Sequence, residues 1–276
     1  RFLSAPALRS SVAYACCAAP YFPARNNSSA ICRGVFSAAH AALLDHTAGL
    51  LAICEDLPWT PAYLADKFVA AYKRDPRDGY ARGFKALLDE VRNGDELLAK
   101  ISPFSSRSGA AMRAAPIGVF GAPGEVIRRS RIQAALTHNT TDGMNSAIAA
   151  SLFVHYFVHQ RGPKKDVGRF ISGFVNGPWE KEWRGPVGTN GIECVWAAIS
   201  VVRASKTVSD VLRRSIALTG DVDTVASIAM AAARFCVEIS YDLTDALVNG
   251  LENGNWGKTH LGNTEVFLMQ MAGLTR

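Results

Sequence analysis

The sequence predicts an all-α fold, a single compact helical domain, on three observations. Apolar residues recur at three-, four- and seven-residue spacings through most of the chain. Sustained period-two alternation is missing, and no Asn-Gly or Asp-Gly pair sits between β-branched runs as a hairpin would require. Several periodic segments are rich in alanine, whose small side chain lets helices approach closely and pack as a bundle.

The elements follow in chain order. Residues 35–56 place Phe36, Ala39, Leu43, Leu50, Leu51 and Cys54 on one helical stripe that ends at Pro58. Thr60-Pro61 reads as an N-cap followed by proline at the first helical position, opening a helix over 60–73 with Leu64, Phe68 and Tyr72 at four-residue steps. A turn cluster from Arg74 to Gly79 precedes a helix at 80–92, after which a polar loop is expected through Pro103. A helix is expected over 124–137, and a longer alanine-rich one over 142–160 carries His155 and His159 near its end. The stretch 161–190 reads as a long connection, on its glycines, prolines and tryptophans, with one short helix near 166–174. Further helices are expected at 191–203, 206–218, 222–239 and 241–251. No repeat and no low-complexity linker divides the chain, so the helical domain is placed over 35–276.

Composition narrows the class. Apolar residues make up 49% of the chain and charged residues 20%, ordinary globular usage, and no apolar run approaches the ~18 residues of a membrane-spanning helix. The formal charge of +6 is uneven: the first 44 residues hold Arg1, Arg9, Arg25 and Arg33, and the first carboxylate is Asp45. Residues 1–34 therefore form a basic, acid-free extension, read either as a transit-sequence remnant that places the protein in the mitochondrial matrix, or as a basic arm for an acidic partner. A cytoplasmic location is the alternative. Without those arginines the body is close to neutral and carries no nucleic-acid motif, which argues against nucleic acid as a partner. The spacing of the six cysteines matches no zinc pattern, and a reduced compartment is the simpler reading.

Three clusters could carry chemistry. Thr219-Gly220-Asp221-Val222-Asp223-Thr224 places two carboxylates and a hydroxyl where a helix begins, a density of hard oxygen donors that suits magnesium, calcium or manganese. The same aspartates would equally serve as N-terminal caps. Asp45-His46-Thr47 sits in an otherwise apolar helix, where charge is costly unless it is paired, coordinated or turned to solvent. Thr137-His138-Asn139 lies between two helices, where a histidine caps or packs more often than it catalyses.

Together these segments resemble the ADP-ribosylglycohydrolase family, especially its branch that removes ADP-ribose from serine. Tyr72–Tyr80 is similar to that branch's "YKKDPxRGYG" segment, and Gly109–Gly118 to the family's "GAAMRxAPIG" block. Residues 132–150, with Thr137, His138 and Gly143, resemble an "LTHxxxxGxxGA" block, and residues 216–231 a "SLGGDTDTxAxxAGA" block. The resemblance implies an all-α domain with two magnesium ions held by an early Thr-Asp-Asp triplet and a late Asp-x-Asp-Thr, and a glutamate that helps a water attack the distal ribose.

Measured against that pattern, Asp221, Asp223 and Thr224 match the late ligands, with Thr219 replacing a glycine. The early triplet falls on Leu44-Asp45-His46, so the metal set implied is Asp45, His46, Asp221, Asp223 and Thr224, a degenerate site. His46 could support manganese or zinc in place of magnesium. No catalytic residue is intact, because no Glu or Asp precedes Asp45, and Ser11–Ala18 is read as the remnant of the helix ahead of the base. Pro103–Ser108 stands where the branch wraps the diphosphate, so Ser105, Ser106, Ser108, Gly109 and His138 are the candidate substrate contacts.

The functional expectation is a pseudoenzyme, an accessory or structural subunit of a larger mitochondrial assembly whose partners are other protein subunits. The N-terminal extension and the 176–190 connection would then face other chains. The alternatives are an active hydrolase holding one or two magnesium ions and drawing an acid from Asp142 or Glu193, and a non-hydrolysing ADP-ribose binder. No cofactor is expected in the inactive case.

Overall fold

In the computed structural model, residues 59–76, 80–245, 249 and 253–271 are described. Their order is α1 (Pro61–Arg74), α2 (Arg82–Glu90), α3 (Gly94–Lys100), the short α4 (Gly109–Met112), a 3₁₀ segment (Ala115–Val119), α5 (Pro123–Ala135), α6 (Thr141–Val158), α7 (Val167–Ser172), α8 (Gly191–Ala204), α9 (Val208–Ala217), α10 (Val222–Ala233) and α11 (Lys258–Met271). Among them β structure is confined to four isolated bridges, so the fold is all-α as the periodicity predicts. The predicted helix over 35–56 and the extension 1–34 lie outside the described residues.

Helix α6 is the axis of the bundle. Every residue from Ser146 to Val158 is buried, so it is apolar on all sides and packs against α4, α5, α8, α10 and the 3₁₀ segment. Its start is set locally: the Thr140 hydroxyl accepts from Gly143 N at 3.1 Å. The same device recurs with Thr60 at α1 (Tyr63 N, 3.1 Å), Asn190 at α8 (Ile192 N, 2.8 Å) and Thr207 at α9 (Asp210 N, 3.1 Å), each cap contributing about 1 kcal/mol. The end of α6 is set by Gln160, which takes a left-handed φ of 49° and lets Arg161 N donate back to Tyr156 O at 2.9 Å.

The structure corrects three boundaries. The expected polar loop before Pro103 contains α3, which docks on α1: Gly94 N donates to the Asp66 carboxylate at 2.5 Å, and a Cβ on Gly94 would lie 2.4 Å from Asp66 N. Helix α10 ends at Ala233 rather than near 239, because the chain is drawn aside by Ser240, whose N donates to Lys206 O and whose carbonyl accepts from Val208 N, both at 3.0 Å. Of the helix expected at 241–251, residues 241–244 are not helical, Asp245 and Asn249 are, the others lie outside the described residues, and the unexpected α11 follows.

The connection after α7 packs on its own chain. Trp179 is fully buried with its indole N–H donating to Val175 O at 2.9 Å. Trp183 meets Trp196 of α8 edge to face at 4.9 Å, and the Trp196 N–H donates to Lys181 O. Both tryptophans of the 176–190 connection, which was expected to face other chains, have partners within this one.

Candidate functional site

The site is built where α10 begins, and its approach is strained. Thr219 and Gly220 both take left-handed φ values, 63° and 82°, so that Val187 N can donate to Thr219 O (3.1 Å) and Asp221 N to Val187 O (3.0 Å). A side chain at Gly220 would put Cβ 2.0 Å from Val187 O. A β-branched residue pays for the left-handed region in sterics. We therefore expect Thr219→Gly to stabilise the fold by about 1 kcal/mol in urea denaturation; a loss of stability would show that the threonine makes compensating contacts.

Asp221 holds the N-cap position of α10, yet its carboxylate caps no backbone N–H. Both its oxygens instead accept from side chains: Oδ2 from the Ser108 hydroxyl (2.9 Å) and the Cys194 thiol (3.4 Å), Oδ1 from the Thr224 hydroxyl (3.0 Å). Burial and the neighbouring Asp221 carboxylate raise the Asp223 pKa well above the ordinary aspartate range, because two like charges this close resist ionising together. Burial likewise pushes the Cys194 thiol up, which keeps it protonated and a donor.

Asp221, Asp223, Thr224 and Ser108 are the oxygen donors here that could hold one hard divalent cation, and the carboxylate pair that resists double ionisation is what a cation would neutralise. A two-ion centre needs the early triplet, and Asp45 and His46 lie outside the described residues. Among the described residues no group of three or more His, Cys, Asp or Glu side chains is arranged to hold a metal ion.

The 103–108 segment is stitched down on both flanks. Its Ser105 carbonyl accepts from Thr140 Oγ1 (2.9 Å), the Ser105 hydroxyl accepts from Arg107 N (3.2 Å), and the Ser106 carbonyl accepts from Gly191 N (3.0 Å). Isolated bridges pair Phe104 with His138 and Arg107 with Asn190, while the Phe104 ring is 73% exposed. Ser105, Ser106 and Ser108 thus hold the loop to α6, α8 and α10. The acids considered as substitutes are also engaged: Asp142 accepts from the Asn190 amide (3.0 Å) and Glu193 from Gly188 N (3.0 Å).

His138 is fixed by a relay that sequence reasoning missed. Buried Arg113 donates through Nε to Gln133 Oε1 and through Nη2 to Thr137 Oγ1. A guanidinium has donors only, so Thr137 Oγ1 accepts from it, and the same hydroxyl shares a hydrogen bond with His138 Nδ1, 2.6 Å away. Burial, with the Arg113 charge nearby, pushes the imidazole down to about 3, so the ring is neutral, with Nε2 on its opposite edge. That edge faces Gly109, where an added Cβ would lie 3.5 Å from Nε2. The signal was present in Gly109–Gly118, where Arg113 is the one charge in an apolar block.

Comparison with known proteins agrees with this architecture. A family model for ADP-ribosylglycohydrolase matches residues 36–234. A solved structure described as an ADP-ribosylglycohydrolase-related protein complex superimposes with a TM-score of 0.63 at 15% identity, covering 84% of this chain and 81% of that one, a likeness of fold. Among curated proteins no relative matches. Carried by the match over 36–234, the bundle around α6 and the Asp221–Asp223–Thr224 turn place this chain in the ADP-ribosylglycohydrolase family.

Proposed function

We propose that this chain is a non-hydrolysing member of its family, serving as an accessory or structural subunit of a larger mitochondrial assembly. The observation that carries the reading is the Ser108 hydroxyl. It belongs to the segment that would wrap a diphosphate, and it donates to Asp221 instead, while the rest of that segment is bonded to residues 138–140 and 190–191. Sequence losses support the same reading: Leu44 and His46 stand at two positions of the early metal triplet, and no Asp or Glu precedes Asp45. Asp221, Asp223 and Thr224 would hold at most one magnesium ion, which would supply charge to orient ribose hydroxyls. Hydrolysis would also require a base to activate water, and residues 1–44 hold no Asp or Glu for that role. The basic, acid-free residues 1–34 support matrix localisation, and other protein subunits are the partners this reading requires. No helix of the described residues is long and apolar enough to cross a membrane.

The deciding assay incubates the protein with a serine-ADP-ribosylated peptide and magnesium. We expect no ADP-ribose release above the protein-free control. Release that disappears on Asp223→Ala would replace this reading with an active hydrolase, and saturable ADP-ribose binding without release would make the chain a reader of the modification.

A further inference from the structure

Away from the Asp221 turn, α1 and α11 share an unfilled basic cluster. Arg74, at the C-terminal end of α1, lays its guanidinium on the Trp256 ring, Cζ 3.8 Å from the centroid. His260, in the first turn of α11, meets the same indole edge to face at 4.9 Å. Among the described residues, Arg74 Nε and Nη2 and His260 Nε2 are buried polar atoms with no hydrogen-bond partner. A buried polar nitrogen left without a hydrogen-bond partner is costly, so three such atoms around one indole are not an arrangement that folding favours for its own sake.

The geometry of the open edge indicates what fits it. Nε and Nη2 lie on the same side of a guanidinium. At Arg128 that side holds the Glu125 carboxylate by two parallel bonds, each 2.8 Å. Arg74 presents the same fork. Stacking on Trp256 occupies the face of its guanidinium and leaves the in-plane edge for an oxyanion. The Asp75 carboxylate is near enough to favour the charged form of Arg74 but leaves the fork unfilled. Burial lowers the affinity of both Arg74 and His260 for their protons, in Arg74 despite the nearby Asp75 and in His260 together with the Arg74 charge.

We propose that Arg74, His260 and Trp256 form a binding site for an oxyanion, a phosphate or carboxylate group gripped by the Arg74 fork and by His260 Nε2. The anion bridges α1 to α11. Because the atoms are closed to water, it enters as the 253–260 turn lifts and then holds α11 down. The site shares no residue with the Asp221 cluster and does not depend on whether the protein hydrolyses anything.

The test is thermal unfolding of the full chain in potassium phosphate, potassium acetate and potassium chloride at matched ionic strength. We expect a saturable rise in Tm of several degrees in phosphate that chloride does not reproduce. A parallel rise in acetate identifies any carboxylate as sufficient, whereas phosphate alone identifies a phosphate group. Arg74→Lys keeps the charge but not the fork, and should weaken the phosphate response about tenfold. Arg74→Met should abolish it while melting no lower than the parent in chloride, since it removes an orphaned buried charge. Equal phosphate responses in parent and Arg74→Met, no phosphate response in the parent, or a marked loss of Tm for Arg74→Met in chloride would each overturn the site.

Discussion

Replacing Arg113 with methionine is expected to destabilise the protein by about 4 kcal/mol and to perturb His138, which shares the Thr137 hydroxyl with it. The side chain is 3% exposed, donates to Gln133 and Thr137, and lies over the Phe68 ring at 5.1 Å. Methionine keeps much of the stem's packing but leaves Gln133 Oε1 and Thr137 Oγ1 without their donor, each a loss of ~1–3 kcal/mol in a buried setting. Lysine should recover less than half, because one ammonium cannot span two acceptors that a planar fork reaches together. A second readout separates positioning from bulk stability. With Arg113 gone, the Thr137 hydroxyl that bonds Nδ1 no longer accepts from a cation, so nitrogen chemical shifts of His138 should change. Its titration should also move up from about 3, since a neighbouring positive charge has been removed. A loss below about 1 kcal/mol with those shifts unchanged would show that the relay is incidental.

Trp179→Ala is expected to cost about 3–5 kcal/mol, the range for deleting a fully buried aromatic. The indole is 0% exposed and its N–H is satisfied by Val175 O. Two glycines are fitted to this residue: a Cβ at Gly177 would lie 2.2 Å from the ring, and one at Gly168 would lie 2.3 Å from the Trp179 carbonyl. The cavity is therefore walled by backbone that cannot collapse to fill it. Hydrogen exchange should quicken first along 173–190, where the ring anchors the chain, while the caps of α6 and α9 stay protected. Uniform loss of protection across the whole bundle would indicate that the tryptophan belongs to the global core rather than to a separable connection.

Most helices were legible because their causes are local. Thr60-Pro61, Thr140, Asn190 and Thr207 each meet a backbone N–H two or three residues on, and such pairs can be recognised in a one-dimensional string. Helix α3 was not, since Asn93-Gly94-Asp95 carries turn-forming residues and the contact that secures it, Gly94 on Asp66, spans 28 positions. Helix α11 escaped for a related reason. Its apolar residues bunch at Val266–Met269 rather than recurring at helical steps, so its periodic signal is weak.

The site was legible as a set of residue types and not as a set of contacts. Asp221, Asp223 and Thr224 stand out by their spacing, but only the folded chain brings Ser108 from 113 residues away to one oxygen of Asp221 and Cys194 to the same atom. The spacing of Thr137 and His138 is visible in the sequence, but only the fold brings Arg113, 24 residues before Thr137, onto the hydroxyl that His138 also bonds. By itself the sequence determined the helical class, most helix starts and the family, because periodicity and capping act between near neighbours. The partners of the carboxylates, the loop that closes on them and the protonation of His138 were decided by tertiary structure. Hydrogen bonds and charge interactions operate over a few ångströms of space, and no spacing along the chain specifies which distant residues will come within that range.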